Sequence, residues 1–341
     1  MKAKQIIFVE PNKASLLDCE VAKPTENQVL VKTAFSTISA GTERANLIGD
    51  VNISPNSLPT SNIPVFPRTV GYSSSGVVEE VGKNVTRFKK GDRVIGMWSK
   101  HASYNLFDEN AVVKIEYDDI SLSEAATCFI STFSLAGLRK TAPEFGESII
   151  VFGLGVLGLF SIQIAKASGL MPVIAIDPLN ERRDLALKLG ADFALDPTEQ
   201  DFTAKVKELT NGGANIAIEV TGKGHALNQA LDCMARFGRV SLLGCTRECD
   251  FNVDYYRKVH FPGITLVGAH TNARPIFESR PTNHTEKDDL TAILKLLHGK
   301  RLDFKPLISE QHSPAQAEEV FYRLATDKNF PIGVQFDWSK I

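Results

Sequence analysis

A chain of 341 residues exceeds one ordinary domain and points to two. With 43% hydrophobic residues, 23% charged residues and a formal net charge of −2, it has material for large cores. It lacks the overall positive charge that would mark a partner of nucleic acid or of an anionic membrane.

The start, MKAKQIIFVE, runs straight into a short β-like stretch without a signal peptide's cleavage pattern, and no apolar run approaches the roughly 20 residues of a membrane span. The first 120 residues hold short β-type runs (QIIFV, QVLVKTAF, GVVEEVG, DRVIGMW, AVVKI) separated by Gly, Pro, Asn and Asp, the pattern of a compact, mostly antiparallel β domain. Between them, residues 43–68 form a long connection containing Pro55, Pro59, Pro64 and Pro67, a length that is usually functional or mobile. TVGYSSSGVV, residues 69–78, sets a phenol and three hydroxyls between Gly71 and Gly76, which neither a spacer nor a strand interior asks for. The five cysteines, Cys19, Cys128, Cys233, Cys245 and Cys249, are odd in number and scattered, so a reducing cytoplasm is expected rather than a disulfide framework. Cys245 and Cys249 lack the second pair that would complete a metal site.

From residue 121 the pattern changes. SLSEAATCFISTFSLAGLRK reads as a helix with Ser123 at its N-cap. Apolar strands then alternate with amphipathic helices as far as ITLVGA, which means βαβ units and a parallel sheet covered on both faces. Two further helices, KDDLTAILKLLHG and PAQAEEVFYRLAT, precede a closing strand, IGVQFDW. The fold class is therefore α/β: a β-rich domain over 1–120, a doubly wound parallel-sheet domain over 121–275, and a segment over 276–341.

IIVFGLGVLGLFSIQIAKASG carries the clearest chemistry. Gly153, Gly155 and Gly158, with Val156 and Leu157 between them, join a β run to an apolar helix. The first glycine allows a tight turn, the second lets backbone approach a pyrophosphate, and the third lets helix pack on strand. The helix N-terminus then presents free N–H groups to the anion. VIAID ends in Asp177, 24 residues after Gly153, where a carboxylate accepts from ribose hydroxyls and repels a 2′-phosphate. NAD(H) is the expected cofactor. Arg182 and Arg183 follow closely, either beside a phosphate or as the solvated face of the next helix.

With GVVEEVG and KKGDRV, the SEAAT-to-FSLAGL helix, GLGVLG with AID, and then LKLGAD, IEVTG, GRVSLLG and LVGAH in order, the chain resembles the medium-chain dehydrogenase/reductase superfamily of zinc alcohol dehydrogenases. The resemblance implies a GroES-like catalytic domain, a Rossmann domain, an active site in the cleft between them, and a C-terminal segment that returns to the catalytic domain. It also implies nicotinamide contacts from Thr132, Thr221, Gly222, Leu243, Gly244, Val267, Gly268 and Ala269. Family members often pair as a homodimer or homotetramer, and the apolar ITLVGA strand suits such pairing. SAGTER, VGYSSSG and the histidine after a tryptophan-containing strand are similar to zinc-deficient members of the bacteriochlorophyllide dehydrogenase-like and sugar- or cyclitol-associated kinds.

The departures bear on mechanism. Zinc members place cysteine before Gly-Thr-Asp/Glu, where ISAGTE has Ala40, and Gly-His-Glu where this chain has Gly71-Tyr72-Ser73. Only Cys128 keeps a metal-competent residue, and residues 94–115 lack the four cysteines of a structural zinc lobe. A catalytic zinc takes about three protein ligands plus water, so no metal is expected. A general base must then remove the alcohol proton, helped by donors that stabilise the developing charge. His101 is the first candidate, because the family aims this segment at the substrate pocket and imidazole titrates near neutrality. Tyr72 follows as donor or relay, Thr42 as the family's relaying hydroxyl, and Glu43 as the group orienting His101 or substrate. AHTNARPIFESRPTNHTEKDD is unusually polar after a buried strand, and His270, Asn272, Arg274, Arg280 and His284 are candidates to close on hydroxyls or a carboxylate.

The expected activity is zinc-independent, NAD(H)-linked interconversion of a secondary alcohol and a ketone on a sugar, sugar acid or cyclitol. Two other readings stand beside it: a zinc-free quinone or enone reductase, and a non-catalytic NAD(H)-binding protein.

Overall fold

The computed structural model describes residues 1–53, 65–247 and 251–341. The prolines Pro55, Pro59 and Pro64 of the long connection, and Cys249, lie outside these residues.

In chain order the first unit contains β1 (Lys2–Glu10), β2 (Lys13–Glu20), β3 (Gln28–Thr37), α1 (Ala40–Leu47), β4 (Arg68–Thr69), β5 (Ser73–Val81), β6 (Arg93–Met97), β7 (Tyr104–Asp108) and β8 (Val112–Lys114). Helix α2 (Leu122–Arg139) follows, then β9 (Ile149–Phe152), α3 (Val156–Ala167), β10 (Val173–Ile176), α4 (Asn180–Lys188), β11 (Phe193–Leu195) and α5 (Phe202–Leu209). The chain continues through β12 (Ala214–Glu219), α6 (Gly224–Asp232), β13 (Met234–Leu242), β14 (Thr265–Gly268), α7 (Glu286–His298), β15 (Glu310–His312), α8 (Ala317–Thr326) and β16 (Val334–Asp337). Two compact units result: residues 1–130 with 290–298 and 304–341, and residues 131–289 with 299–303. The first division falls inside α2 rather than ahead of it at residue 120, and the second inside α7 rather than at 275. In both places one continuous helix carries the chain across.

The β-rich unit is built around β3, which pairs antiparallel with β5, β7 and β16. The last of these brings the C-terminal segment into the sheet. The β3–β5 register shifts between Thr33 and Phe35, an irregularity of the kind that re-aims side chains near functional sites. Beyond it, Ser36 and Thr37 face the interior. A core of Ile6, Phe8, Ile38, Leu47, Phe321, Phe336 and Trp338 draws from both ends of the chain.

The second unit has a parallel sheet in the order β11-β10-β9-β12-β13-β14. Numbered within the sheet this is 3-2-1-4-5-6, the doubly wound Rossmann order, with its switch point between β9 and β12. β9 and β10 are buried at every position because helices cover both faces, which is why they read as unbroken apolar runs. The helix cap differs from expectation at α2. Ser121, not Ser123, makes the reciprocal bonds with Glu124 that define a capping box, while Ser123 Oγ donates to Gln335. No helix among the described residues is long and apolar enough to cross a membrane.

Candidate active site

The glycine turn is built as its spacing requires. Gly153 has φ +90°, and Gly158 stands so close to it that a Cβ there would lie 1.9 Å from the Gly153 carbonyl oxygen. A Cβ on Gly155 would meet nothing within 4 Å, leaving open space in front of the N-terminus of α3, which no side chain caps. Asp177 accepts the Leu154 N–H at 2.8 Å through Oδ2 and the Leu179 N–H at 2.9 Å through Oδ1, so it fastens the turn to the end of β10. Arg182 lies 3.8 Å from the same carboxylate, whereas Arg183 donates to the Asp177 carbonyl and to Asp196.

Across the switch point, Thr221 Cγ2 packs against Gly153, and the Val220-Thr221-Gly222 turn is held by Glu219. That buried carboxylate accepts from the N–H groups of Thr221 and Gly222 and from the Thr221 hydroxyl, and burial pushes its carboxyl up. Glu219 went unrecognised in the sequence, although IEVTG carries it two residues before Thr221. Leu243 and Gly244 both donate to the Glu219 carbonyl, and Ala269 to that of Leu242, so these backbones meet at the ends of β12, β13 and β14. Gly268 offers its carbonyl to Lys140, and Val267 lies one residue before it, half-buried on β14. Open backbone at Gly155, an uncapped helix start and a carboxylate at the end of β10 suit a dinucleotide's pyrophosphate and ribose.

The substrate-loop expectation changes at Arg274. Its side chain is buried, donating to Asp289 at 2.6 Å and to the Thr132 carbonyl at 3.2 Å, so it serves as an internal tie and not as a clamp. The same contact takes up Thr132. Arg139 reaches Asp289 at 3.2 Å and the His284 ring, yet burial still pushes the Asp289 carboxyl up to about 6. His270, Asn272 and Arg280 remain exposed, with the Asn272 N–H donating to His270 Nδ1.

In the β-rich unit the structure brings Tyr72, Glu43 and His101 into one network. The Tyr72 hydroxyl bonds Ser39 Oγ. Glu43 Oε1 accepts the Ser39 N–H at 2.9 Å, and Glu43 Oε2 lies 2.9 Å from His101 Nε2. His101 Nδ1 lies 2.7 Å from Ser36 Oγ, which also accepts from Trp338 Nε1. His101 is 0% exposed, and the rings of Phe321 and Phe336 close on it. The role of direct base expected for His101 therefore does not fit: both ring nitrogens are spent on internal partners and no face reaches solvent. Thr42, half-buried one residue before Glu43, is carried on the same turn of α1.

The phenol stays half-buried, against Trp98 and Phe129 with centroids 5.7 and 6.4 Å away. Trp98 is 48% exposed at φ +57°, a conformation costing a bulky residue roughly 1–3 kcal/mol. Gly71 is required by close approach, since a Cβ there would sit 2.6 Å from the His101 backbone nitrogen. Two serines of TVGYSSSGVV are structural: Ser73 and Ser75 donate to the Ala126 and Leu122 carbonyls of α2.

The donors of this region do not fit a catalytic zinc. Ala40 has no donor atom, Glu43 and His101 are committed to each other, and Cys128 bonds the Glu124 carbonyl with burial pushing its thiol far up. Among the described residues no three His, Cys, Asp or Glu side chains cluster as a metal would need.

A Rossmann unit with an open glycine turn, in one chain with a β-rich unit, is the architecture of a dinucleotide-dependent oxidoreductase. The family model described as alcohol dehydrogenase GroES-like domain matches residues 25–119, and that described as zinc-binding dehydrogenase matches residues 156–295. L-threonine 3-dehydrogenase of Pyrococcus abyssi is 28% identical over 91% of each chain. D-guloside 3-dehydrogenase of Escherichia coli is 27% identical over 80% of this chain and 82% of its own. (R,R)-butanediol dehydrogenase of Bacillus subtilis is 30% identical over 62% of this chain and 68% of its own. A crystal structure of 2R,3R-butanediol dehydrogenase from that organism superimposes with a TM-score of 0.82 at 21% identity, over 98% of this chain and 99% of the other. The chain belongs to the medium-chain, zinc-type alcohol dehydrogenase superfamily, and it is an alcohol/ketone oxidoreductase of that NAD(P)-dependent family.

Proposed function

We propose that the protein oxidises a secondary alcohol, or reduces the matching ketone, on a polyhydroxylated substrate with NAD(H) and without zinc. The observation that carries this reading is the phenol of Tyr72, paired with Ser39 and backed by Glu43–His101, in the segment where zinc members hold their histidine. A bound nicotinamide supplies a hydride acceptor or donor. The chain's own residues manage the proton and the charge: Tyr72 takes the alcohol proton or returns it to the ketone oxygen, and Glu43–His101 keeps the wall behind it rigid. The carboxylate of Asp177, accepting from Leu154 and Leu179 at the end of β10, supports NAD(H) over NADP(H).

Three features support a polyol. The loop after β14 keeps His270, Asn272 and Arg280 exposed, Trp98 presents an aromatic face beside the phenol, and two relatives are named for guloside and butanediol. The exposed edge of β14 is read as the surface that pairs two copies of the chain.

The test is a panel of sugars, sugar acids and cyclitols assayed with NAD⁺ and NADP⁺, alongside metal analysis of the same preparation. Turnover with NAD⁺ on a polyol and no bound metal is expected. About one tightly held zinc per chain, lost together with activity on chelation, would overturn the zinc-free mechanism.

A further inference from the structure

We propose that Ser39 is the positioning residue of this chemistry: its hydroxyl, withheld from capping α1, holds Tyr72 and favours the ionised phenol. The proposal rests on the reading of Tyr72 given above and adds a residue to it.

Ser39 occupies the N-cap of α1, where a serine ordinarily turns its oxygen onto the N–H groups of the first turn. Here it makes no such bond. Glu43 does the local work instead, accepting the Ser39 N–H through its side chain and donating its own N–H to the Ser39 carbonyl. Ser39 Oγ is thereby left for the Tyr72 hydroxyl.

The chain behind it fixes the geometry. Ser36 Oγ accepts from Trp338 Nε1 at 2.9 Å and lies 2.7 Å from His101 Nδ1, so the imidazole is pinned at that edge. His101 Nε2 faces Glu43 Oε2 at 2.9 Å and pins the imidazole at its other edge. Glu43 is locked, and with it the Ser39 main chain.

The titratable and charged groups on the surrounding elements include Glu43 and Arg44 on α1, Arg68 of β4 bonded to Asn46, Lys100 and His101 after β6, Glu124 and Cys128 on α2, and Glu318, Glu319 and Arg323 on α8, which packs on α1. Arg44 reaches the Ala325 carbonyl, Lys100 is exposed, and Cys128 bonds the Glu124 carbonyl. Glu43 and His101 are the pair bonded to the Ser39 segment.

In the oxidising direction the Tyr72 phenolate oxygen would take the alcohol O–H proton, and a bound oxidised nicotinamide would supply the acceptor for the hydride that leaves the carbon. Ser39 donates to the phenolate beforehand and accepts from the phenol afterwards, and the proton then passes from Tyr72 to solvent.

The experiment compares wild type, Ser39→Ala, Ser39→Thr and Tyr72→Phe in two readouts. One is ultraviolet difference titration of tyrosinate in the unliganded protein. The other is the pH profile of kcat/KM on whichever alcohol the panel identifies. Losing one hydrogen bond to a charged group should move the rising limb for oxidation to higher pH by about one unit and lower neutral-pH kcat/KM about tenfold in Ser39→Ala. Ser39→Thr should restore both, and NADH affinity should be unchanged in all three variants. The tyrosinate titration absent from Tyr72→Phe should move upward in Ser39→Ala by the same amount. Should Ser39→Ala fail to fold, Ser39→Gly keeps a competent cap without the hydroxyl and carries the same expectation. A wild-type limb and a wild-type tyrosinate titration in the hydroxyl-less variant overturn the proposal. If Tyr72→Phe itself retains full activity, the functional reading fails as well, so the two failures are distinguishable.

Discussion

The phosphate turn and the Tyr72 network are built by opposite means. Residues 153–158 act through backbone: glycines let main chain approach, a helix start offers N–H groups, and the side chains of Asp177 and Glu219 only hold the turns in place. The Tyr72 region acts through side chains, in a chain from phenol to Ser39 and from Glu43 to His101, Ser36 and Trp338. A backbone site can change little, because its function is its geometry. A side-chain site can exchange a metal-binding set for a hydroxyl set while the surrounding strands remain in place. The glycine spacing persists here, while Ala40 and Tyr72 stand where the resemblance places the family's ligands.

The sharpest way to separate the two is Tyr72→Phe. Loss of a general acid/base should lower kcat about 10²–10⁴-fold, while NADH titration by fluorescence returns the wild-type affinity. Equal losses in both measurements would show that the phenol supports the fold and not the reaction. The converse change is Gly158→Ala. Its Cβ would sit 1.9 Å from the Gly153 carbonyl oxygen, with backbone on both sides unable to yield. A cost of about 2–3 kcal/mol in thermal or urea unfolding is expected, with NADH binding weakened and the titration of Tyr72 unmoved.

The same division explains what the sequence made legible. GLGVLG between an apolar run and an apolar helix is a local pattern, and so is the alternation that yields the 3-2-1-4-5-6 sheet. His101 is different. MWSKHASYN reads as a polar strand entry, and what buries the imidazole are Phe321, Phe336 and, through Ser36, Trp338, all more than 200 residues onward. Arg274 stands in a polar loop that suggests a substrate contact, and the partner that takes it, Asp289, lies 15 residues on. Ser39 had a local signal, a serine before AGTER at a helix start. That signal predicts a cap, and the structure spends the hydroxyl elsewhere. The Ser121/Glu124 capping box is equally local, a serine three residues ahead of a glutamate at the helix start.

Asp177 sharpens the backbone side of the comparison. Asp177→Ser removes most of the acceptor capacity for Leu154 and Leu179 and, on the proposed reading, the charge that would repel a 2′-phosphate. NADH affinity should fall about tenfold, near 1.4 kcal/mol, and the NADH/NADPH preference should narrow by at least as much. An unchanged preference would mean that the carboxylate only staples the turn and that Arg182 or the helix start sets the cofactor.

Glu310 supplies the control, a polar cluster in the β-rich unit bonded to Arg323 and His312 and not to the Tyr72 network. Its carboxylate accepts from Arg323 at 2.9 and 3.1 Å and lies 2.7 Å from His312 Nε2, and the Arg323 hydrogen bond holds its carboxyl below the usual range. A depressed folded-state value means that the stabilisation is present above the unfolded carboxyl's range and is lost as pH falls through the folded one. The group is about one-third exposed, so solvent screening limits the whole effect to about 1 kcal/mol or less. Glu310→Gln should therefore lower stability slightly at pH 7, converge with wild type in acid, and leave kcat and cofactor affinity where they were. A large kinetic effect from so peripheral a charge would break the comparison, because chemistry would then depend on the strand pairing of β15 with β16 and not on the network that Tyr72 and Ser39 share.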